Sequence, residues 1–249
     1  MGKMFTKDGK RVRVWNPVTG CVFSCQYCWA KKLVDHKLGR TKKYRDVKFT
    51  PAFHEKEMNA TFGRNNTYFV VDVGDMWSSV IPEVWINKVI EKLDKAHPSN
   101  EFWFLTKNPE RYAKYFLEHN YEHRTNFVLG ATIEGTWDYP NISKAPFMEK
   151  RYKAMTNTII APYRKFLSIE PVLKFDLKTF VGWIKEIKPE FVYIGFDNYK
   201  KLQPAWEPTQ KEVDKLIEAI KDITEVRLKT MRREKDDKKK SKGTQTTIF

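Results

Sequence analysis

The sequence predicts an α/β chain organised around a parallel sheet. Two observations carry that expectation: short, nearly continuous apolar runs recur along the chain, and segments with helical apolar spacing fall between them. Such runs suit parallel strands covered on both faces, and alternation of strand and helix implies a parallel sheet. In order, the expected strands are 11–15, 67–73 (TYFVVDV), 101–106 (EFWFLT), 126–133 (NFVLGATI), 164–169 (RKFLSI) and 190–196 (EFVYIGF), with 225–229 (EVRLK) a candidate seventh. The first expected helix, 81–96, has Pro82 near its start and keeps a helical period through Val84, Trp85, Val89, Ile90 and Leu93. Helices are also expected at 109–119, 177–187 and 209–223. Six or seven strand–helix units fit a full or partial α/β barrel, with an open doubly wound sheet as the alternative. In either architecture the chemistry collects at the C-terminal ends of the strands.

Composition narrows the class. The 249 residues are 41% hydrophobic and 14% aromatic, enough to build a core, so disorder of the whole chain is excluded. No run of apolar residues is long enough for a transmembrane helix, and the first seven residues lack the apolar stretch of a secretory signal. No membrane partner is expected. The cysteines number three and fall between Cys21 and Cys28, which argues against a disulfide framework and for a metal or redox role in a reducing cytoplasm. Lys and Arg total 46 against 31 Asp and Glu, a net charge of +15. Residues 31–48 carry Lys31, Lys32, Lys37, Arg40, Lys42, Lys43, Arg45 and Lys48 against only Asp35 and Asp46, and a second basic cluster spans 229–242. Clustered positive charge is the footprint of a nucleic-acid partner; a solvated lysine-rich surface is the competing reading. The stretch 231–249 is expected to be a disordered basic tail following one domain, 1–230.

Directly after the first strand comes Asn16-Pro17-Val18-Thr19-Gly20-Cys21-Val22-Phe23-Ser24-Cys25-Gln26-Tyr27-Cys28-Trp29. Its C-x3-C-x2-C spacing can wrap three thiolates around three corners of a 4Fe–4S cubane. Such clusters commonly have four cysteine ligands, so three leave one iron open. Zinc completed by His36, a Cys25–Cys28 redox dithiol and three structural cysteines are the alternatives.

The loop resembles the signature of the radical S-adenosylmethionine (SAM) superfamily, in which the residue before the last cysteine is usually aromatic, as Tyr27 is. The likeness extends through Val73-Gly74-Asp75-Met76, Phe104-Leu105-Thr106-Lys107-Asn108-Pro109-Glu110-Arg111-Tyr112 and Leu167-Ser168-Ile169-Glu170-Pro171 to a phage- and prokaryote-associated branch of that superfamily, over roughly residues 11–230. The resemblance implies a partial (β/α)6 barrel. It also implies an enzyme that cleaves SAM with one electron from a 4Fe–4S cluster, giving methionine and a 5′-deoxyadenosyl radical. Carried over residue by residue, it makes Cys21, Cys25 and Cys28 the cluster ligands and sets Tyr27 at the adenine. Gly74-Asp75 loosely matches a segment that receives the SAM amino group, and Lys107, beside Thr106, is a partner for the SAM carboxylate. Thr132, Glu134, Ser168 and Glu170 fall at positions of ribose or methionine contacts. A flavodoxin or ferredoxin is the usual electron donor.

Nucleic acid, for DNA repair or base modification, is the first substrate expectation. A small molecule or peptide is the second, and a non-catalytic zinc- or cluster-stabilised nucleic-acid-binding protein is a reading from another class. With no cysteine beyond the three, neither an auxiliary cysteine-ligated cluster nor a catalytic cysteine is available in this chain. The chain ends in Gln245, Ile248 and Phe249, an arrangement resembling peptides that dock on DNA sliding clamps. Trp77, Trp85, Trp103, Trp137 and Trp183 are expected to pack in the core or loops, leaving Trp29 and Trp206 as stacking candidates.

Overall fold

All seven apolar runs lie side by side in one parallel sheet. The structure is a computed structural model and describes residues 6–7, 10–120, 123–199, 202 and 204–232. The strands are β1 (Arg13–Trp15), β2 (Thr67–Val70), β3 (Glu101–Thr106), β4 (Phe127–Thr132), β5 (Arg164–Ile169), β6 (Phe191–Ile194) and β7 (Glu225–Leu228), and they are ordered as in the sequence. Between consecutive strands run α1 (Trp29–His36), α2 (Glu83–Asp94), α3 (Glu110–Glu118), α4 (Met148–Met155), α5 (Leu177–Ile187) and α6 (Gln210–Ile220). The sheet is a half-barrel with β1 and β7 at its edges, the partial α/β barrel that the sequence predicts. Two antiparallel ribbons, Thr6–Lys7 with Lys10–Arg11 and Val18–Thr19 with Ala52–Phe53, stand outside it.

Side chains alternate between the faces of a strand, and here the faces have different work. Tyr68, Phe102, Phe104, Leu129, Leu167 and Val192 face the helices, whose buried positions include Val89, Leu93, Tyr112, Ile184 and Leu216. The residues between them, Phe69, Trp103, Val128, Phe166, Phe191 and Tyr193, form a second cluster on the concave face. Ring centroids there lie 4.7 Å apart for Trp103–Phe191 and 5.0 Å for Phe166–Phe191, and the Arg227 guanidinium stacks 3.8 Å above Phe191. This aromatic layer floors the half-barrel, so among the described residues the polar part of the concave face with room for chemistry is the strands' C-terminal rim.

Local chemistry explains the element ends. The Asp176 carboxylate caps α5, and a reciprocal Thr209–Glu212 capping box starts α6. Strand β2 stops at Val70, short of the expected 73, because Val71 adopts φ +65°. That conformation costs a β-branched residue of order 1–3 kcal/mol, and it is held by the Val71 N–H to Trp15 carbonyl bond of 2.8 Å and by Asn16 grasping the next two amides. Helices α1 and α4 were not among the expected elements. The first is hidden in the basic stretch, and the second has a mostly charged sequence around Met148 and Met155. The expected tail, including Gln245, Ile248 and Phe249, lies outside the described residues except for 231 and 232.

Gly130 sits in β4 where any Cβ would overlap the Phe166 ring and come within 2.7 Å of the Phe104 carbonyl. Phe166 is fully buried and has nowhere to swing. Gly130→Ala should therefore destabilise the fold by about 1–3 kcal/mol, read as a lowered Tm; an unchanged Tm would refute this packing of the floor.

Candidate active site

The cysteine loop leaves β1 at the rim and is anchored before its first cysteine. Asn16 Oδ1 accepts from the amides of Asp72 (2.9 Å) and Val73 (3.2 Å), while its Nδ2 donates to Asp72 Oδ1 (2.7 Å). Gly20 makes a parallel bridge to Gly74 at φ +82°, with a Cβ there reaching 2.6 Å from the Pro51 nitrogen, so only glycine fits. The loop after β4 then clasps it. Lys144 N–H bonds Phe23 O (2.7 Å), Gln26 N–H bonds Ile142 O (2.9 Å), and the Gln26 side chain bonds Asn141 O (2.8 Å).

Cys21, Cys25 and Cys28 are all free and half-buried. Backbone N–H groups point at two of the sulfurs, Phe23 to Cys21 (3.5 Å) and Lys31 to Cys28 (3.3 Å), the second capping α1; Ser143 Oγ lies 3.1 Å from Cys25 Sγ. Burial pushes the Cys21 thiol well up, with Asp75 adding to it, and burial also raises Cys28. Three thiols with hydrogen bonds aimed at sulfur suit a cationic group that displaces their protons. Among the described residues no three His, Cys, Asp or Glu side chains converge to hold a single ion. A cubane, which takes each sulfur on a different iron, needs no such convergence.

Glu134, just past β4, is completely buried and joins three elements. Tyr27 OH donates to Oε1 at 2.5 Å, Lys107 Nζ pairs with the same oxygen, and Arg151 Nη1 donates to Oε2 at 2.6 Å and to Thr132 O at 3.0 Å. Burial alone would raise the Glu134 carboxyl; Lys107 and then Arg151 outweigh it and hold the group below its ordinary value. Tyr27 therefore meets Glu134 through its side chain, and Lys107 is placed at the rim by a carboxylate of its own chain. Asp75 ties β2 to β3, accepting from Thr106 Oγ1 (2.8 Å), Lys107 N (3.0 Å) and Trp77 N (3.0 Å). Burial nevertheless raises its pKa. The approach of Gly74 to Gly20 keeps this segment beside Cys21.

The remaining expected residues complete the rim. Thr132 and Ser168 are buried neighbours in register across β4 and β5. Glu170 stands farther round, hydrogen-bonded by Asn198 and facing Lys229 and Lys107. Arg151, Ser143, Asn16 and Lys229 were missed. Only Lys229 carried a usable signal, as the last residue of the expected seventh strand. Trp29 packs on a small cluster with Ala30, Val34, Tyr44 and Val73, Trp206 sits 5.9 Å from Tyr139, and Trp137 is half exposed on the loop after β4.

Glu134→Gln should cost about 3–5 kcal/mol, since it leaves two buried cations underpaired. The sign with pH follows from the lowered pKa. The contribution of Glu134 is fully present above its ordinary value of 4.5 and is lost as pH falls through the lower folded value. Stability curves of wild type and variant should therefore converge in acid; a constant gap down to strongly acidic pH would refute the hub.

Comparison with known proteins gives a family and a fold. None of the curated proteins matches the chain. Among solved structures, a cysteine-to-alanine mutant of spore photoproduct lyase with dinucleoside spore photoproduct superposes with a TM-score of 0.61 at 10% identity, covering 90% of this chain and 78% of that one. Native anSMEcpe with bound AdoMet gives a TM-score of 0.46 at 14% identity, covering 88% and 63%. The first likeness shows a shared fold. A family model described as "Protein of unknown function (DUF5131)" matches residues 10–185, more than half of the chain, and the protein belongs to that family.

Proposed function

We propose that this protein is a radical SAM enzyme of a phage- and prokaryote-associated branch, acting on nucleic acid in DNA repair or base modification. The observation that carries the reading is the Cys21-x3-Cys25-x2-Cys28 loop, which leaves the first strand of a parallel half-barrel and lies on its C-terminal rim. The fold shared with spore photoproduct lyase supports it. When bound, a 4Fe–4S cluster and SAM would supply one-electron cleavage of a sulfonium to a carbon radical, chemistry that belongs to the cofactors. The chain's part is to hold and orient. Cys21, Cys25 and Cys28 would ligate three irons and leave the fourth for SAM. The Tyr27–Glu134 bond fixes the loop against β4. Lys107, held beside Glu134, and the backbone at Gly74 offer a cation and carbonyl groups for the polar end of SAM, while Thr132 and Ser168 line the same rim. The aromatic floor closes the barrel beneath and keeps water from that side.

The nucleic-acid reading rests on charge beside the loop. Helix α1 begins at the residue after Cys28, and Lys37, Arg40, Lys42 and Lys48 are exposed in the segment that follows it. A flavodoxin or ferredoxin would deliver the electron, and the terminal Gln245, Ile248 and Phe249 would dock on a sliding clamp; both proposals rest on the sequence alone.

Anaerobic reconstitution with iron and sulfide, followed by dithionite and SAM, should yield 5′-deoxyadenosine that disappears when Cys21, Cys25 and Cys28 are replaced by alanine. Colourless protein with stoichiometric zinc and no product would overturn the enzyme reading. Separately, binding of a single-stranded oligonucleotide should weaken with salt. Replacing Lys37, Arg40 and Lys42 by alanine should lower the slope of log K against log salt by about 2, at roughly 0.7 for each phosphate no longer neutralised. An unaltered slope would move the nucleic acid off this face.

A further inference from the structure

The three cysteine sulfurs draw their hydrogen bonds from two different sources. Cys21 and Cys28 meet backbone N–H groups on their own side of the site, Phe23 at 3.5 Å and Lys31 at 3.3 Å. Cys25 is served from a distant part of the chain: Ser143 Oγ, 118 positions away, lies 3.1 Å from its sulfur. The loop after β4 is shaped to bring it there. Ile142, 1% exposed, plugs that loop into the main core. The Tyr139 carbonyl accepts from the amides of Ile142 (2.8 Å) and Ser143 (3.3 Å) and turns the chain. Residues 141–144 then run beside residues 23–26, held by Lys144 N–H to Phe23 O, Gln26 N–H to Ile142 O and Gln26 Nε2 to Asn141 O. Ser143 stands in the middle of this clasp, against Cys25.

The direction of the bond follows from where the protons are. Ala145 N–H donates to Ser143 Oγ at 3.2 Å, so one lone pair of that oxygen is occupied. As a thiol, Cys25 has a proton of its own, and Phe23 O stands 4.0 Å from its sulfur. As a metal ligand it is a thiolate with nothing to donate. The Ser143 hydroxyl is then the donor of the pair.

We propose that Ser143 tunes the reduction potential of the cluster held by Cys21, Cys25 and Cys28, by donating a hydrogen bond to the Cys25 thiolate. The inference rests on the radical SAM reading above and deepens it. Reduction places added negative charge partly on the ligating sulfurs, and a hydrogen bond to sulfur strengthens as that charge grows. Ser143 therefore favours the reduced state and raises the potential. Both residues are partly buried, which weakens competition from water. The donors to Cys21 and Cys28 are backbone amides and persist whatever side chain stands at 23 or 31. Ser143 offers a side-chain donor, so its contribution can be removed without removing the main-chain bonds of the clasp. A raised potential eases delivery of the electron on which cleavage of SAM depends.

The test is a redox titration, followed by electron paramagnetic resonance, of the anaerobically reconstituted full-length protein without SAM. Ser143→Ala should lower the equilibrium constant for one-electron reduction by about tenfold, a fall of about 59 mV. Ser143→Thr keeps the hydroxyl and should stay near the wild-type potential, while Ser143→Val, its isostere without one, should fall with alanine. Gln26→Ala removes a clasp bond without touching a sulfur and should leave the potential in place. An unchanged potential in Ser143→Ala and Ser143→Val, an equal fall in Ser143→Thr, or an equal fall in Gln26→Ala overturns the tuning role, and the cluster present in wild type leaves the radical SAM reading standing. Wild-type protein that takes up no iron–sulfur cluster overturns both.

Discussion

The carboxylate of Glu134 has no contact with solvent, and a buried charge of that kind is tolerated only when paired and hydrogen-bonded. Its partners come from three parts of the chain: Tyr27 from the cysteine loop, Lys107 from the end of β3 and Arg151 from α4. Removing the carboxylate would strand two cations in low dielectric, and losing any one partner would cost it one of its hydrogen bonds. The hub thereby makes the position of a loop, which would otherwise be the most mobile element near the rim, a condition of the fold's stability. The cysteines on either side of Tyr27 inherit that rigidity.

A second set of ties works at the other end of the loop. Asn16 and the Gly20–Gly74 bridge fasten its start to the end of β2, and Asp75 fastens that end to Thr106 and Lys107. Asp75 and Glu134 meet the same lysine, one through its amide and the other through its ammonium. The polar residues of the first four strands are thus one connected network, and most of its hydrogen-bonding capacity is spent within the protein. The row Glu170–Gly195–Lys229 differs, pairing an acid and a base across β5 and β7 with a buried glycine packed tightly between them.

Much of the architecture could be read from the linear sequence. The runs at 101–106 and 164–169 coincide with β3 and β5 to the residue, and the helix expected at 177–187 is α5. These segments are legible because both faces of a central strand are buried, so apolar residues run without interruption. Where the chain departs from that pattern the reading failed. Val71 looks like strand, but its left-handed backbone depends on Asn16, which is 55 positions away and silent about it. Helix α4 buries Arg151 at 2% exposure, and a charged residue in a charged stretch reads as surface.

The sequence by itself determined the order of strands and helices, the rim as the place for chemistry, and the three cysteines as its most specific feature, because these depend on local periodicity and on spacing along the chain. Tertiary structure decided which rim residues are spoken for. Glu134 and Glu170 look alike in sequence, each an acid one or two positions past a buried strand. Packing encloses the first among a tyrosine, a lysine and an arginine and leaves the second partly exposed beside Asn198 and Lys229. Burial and electrostatic pairing depend on which distant residues the fold brings within a few ångströms, and no local pattern in the chain records that.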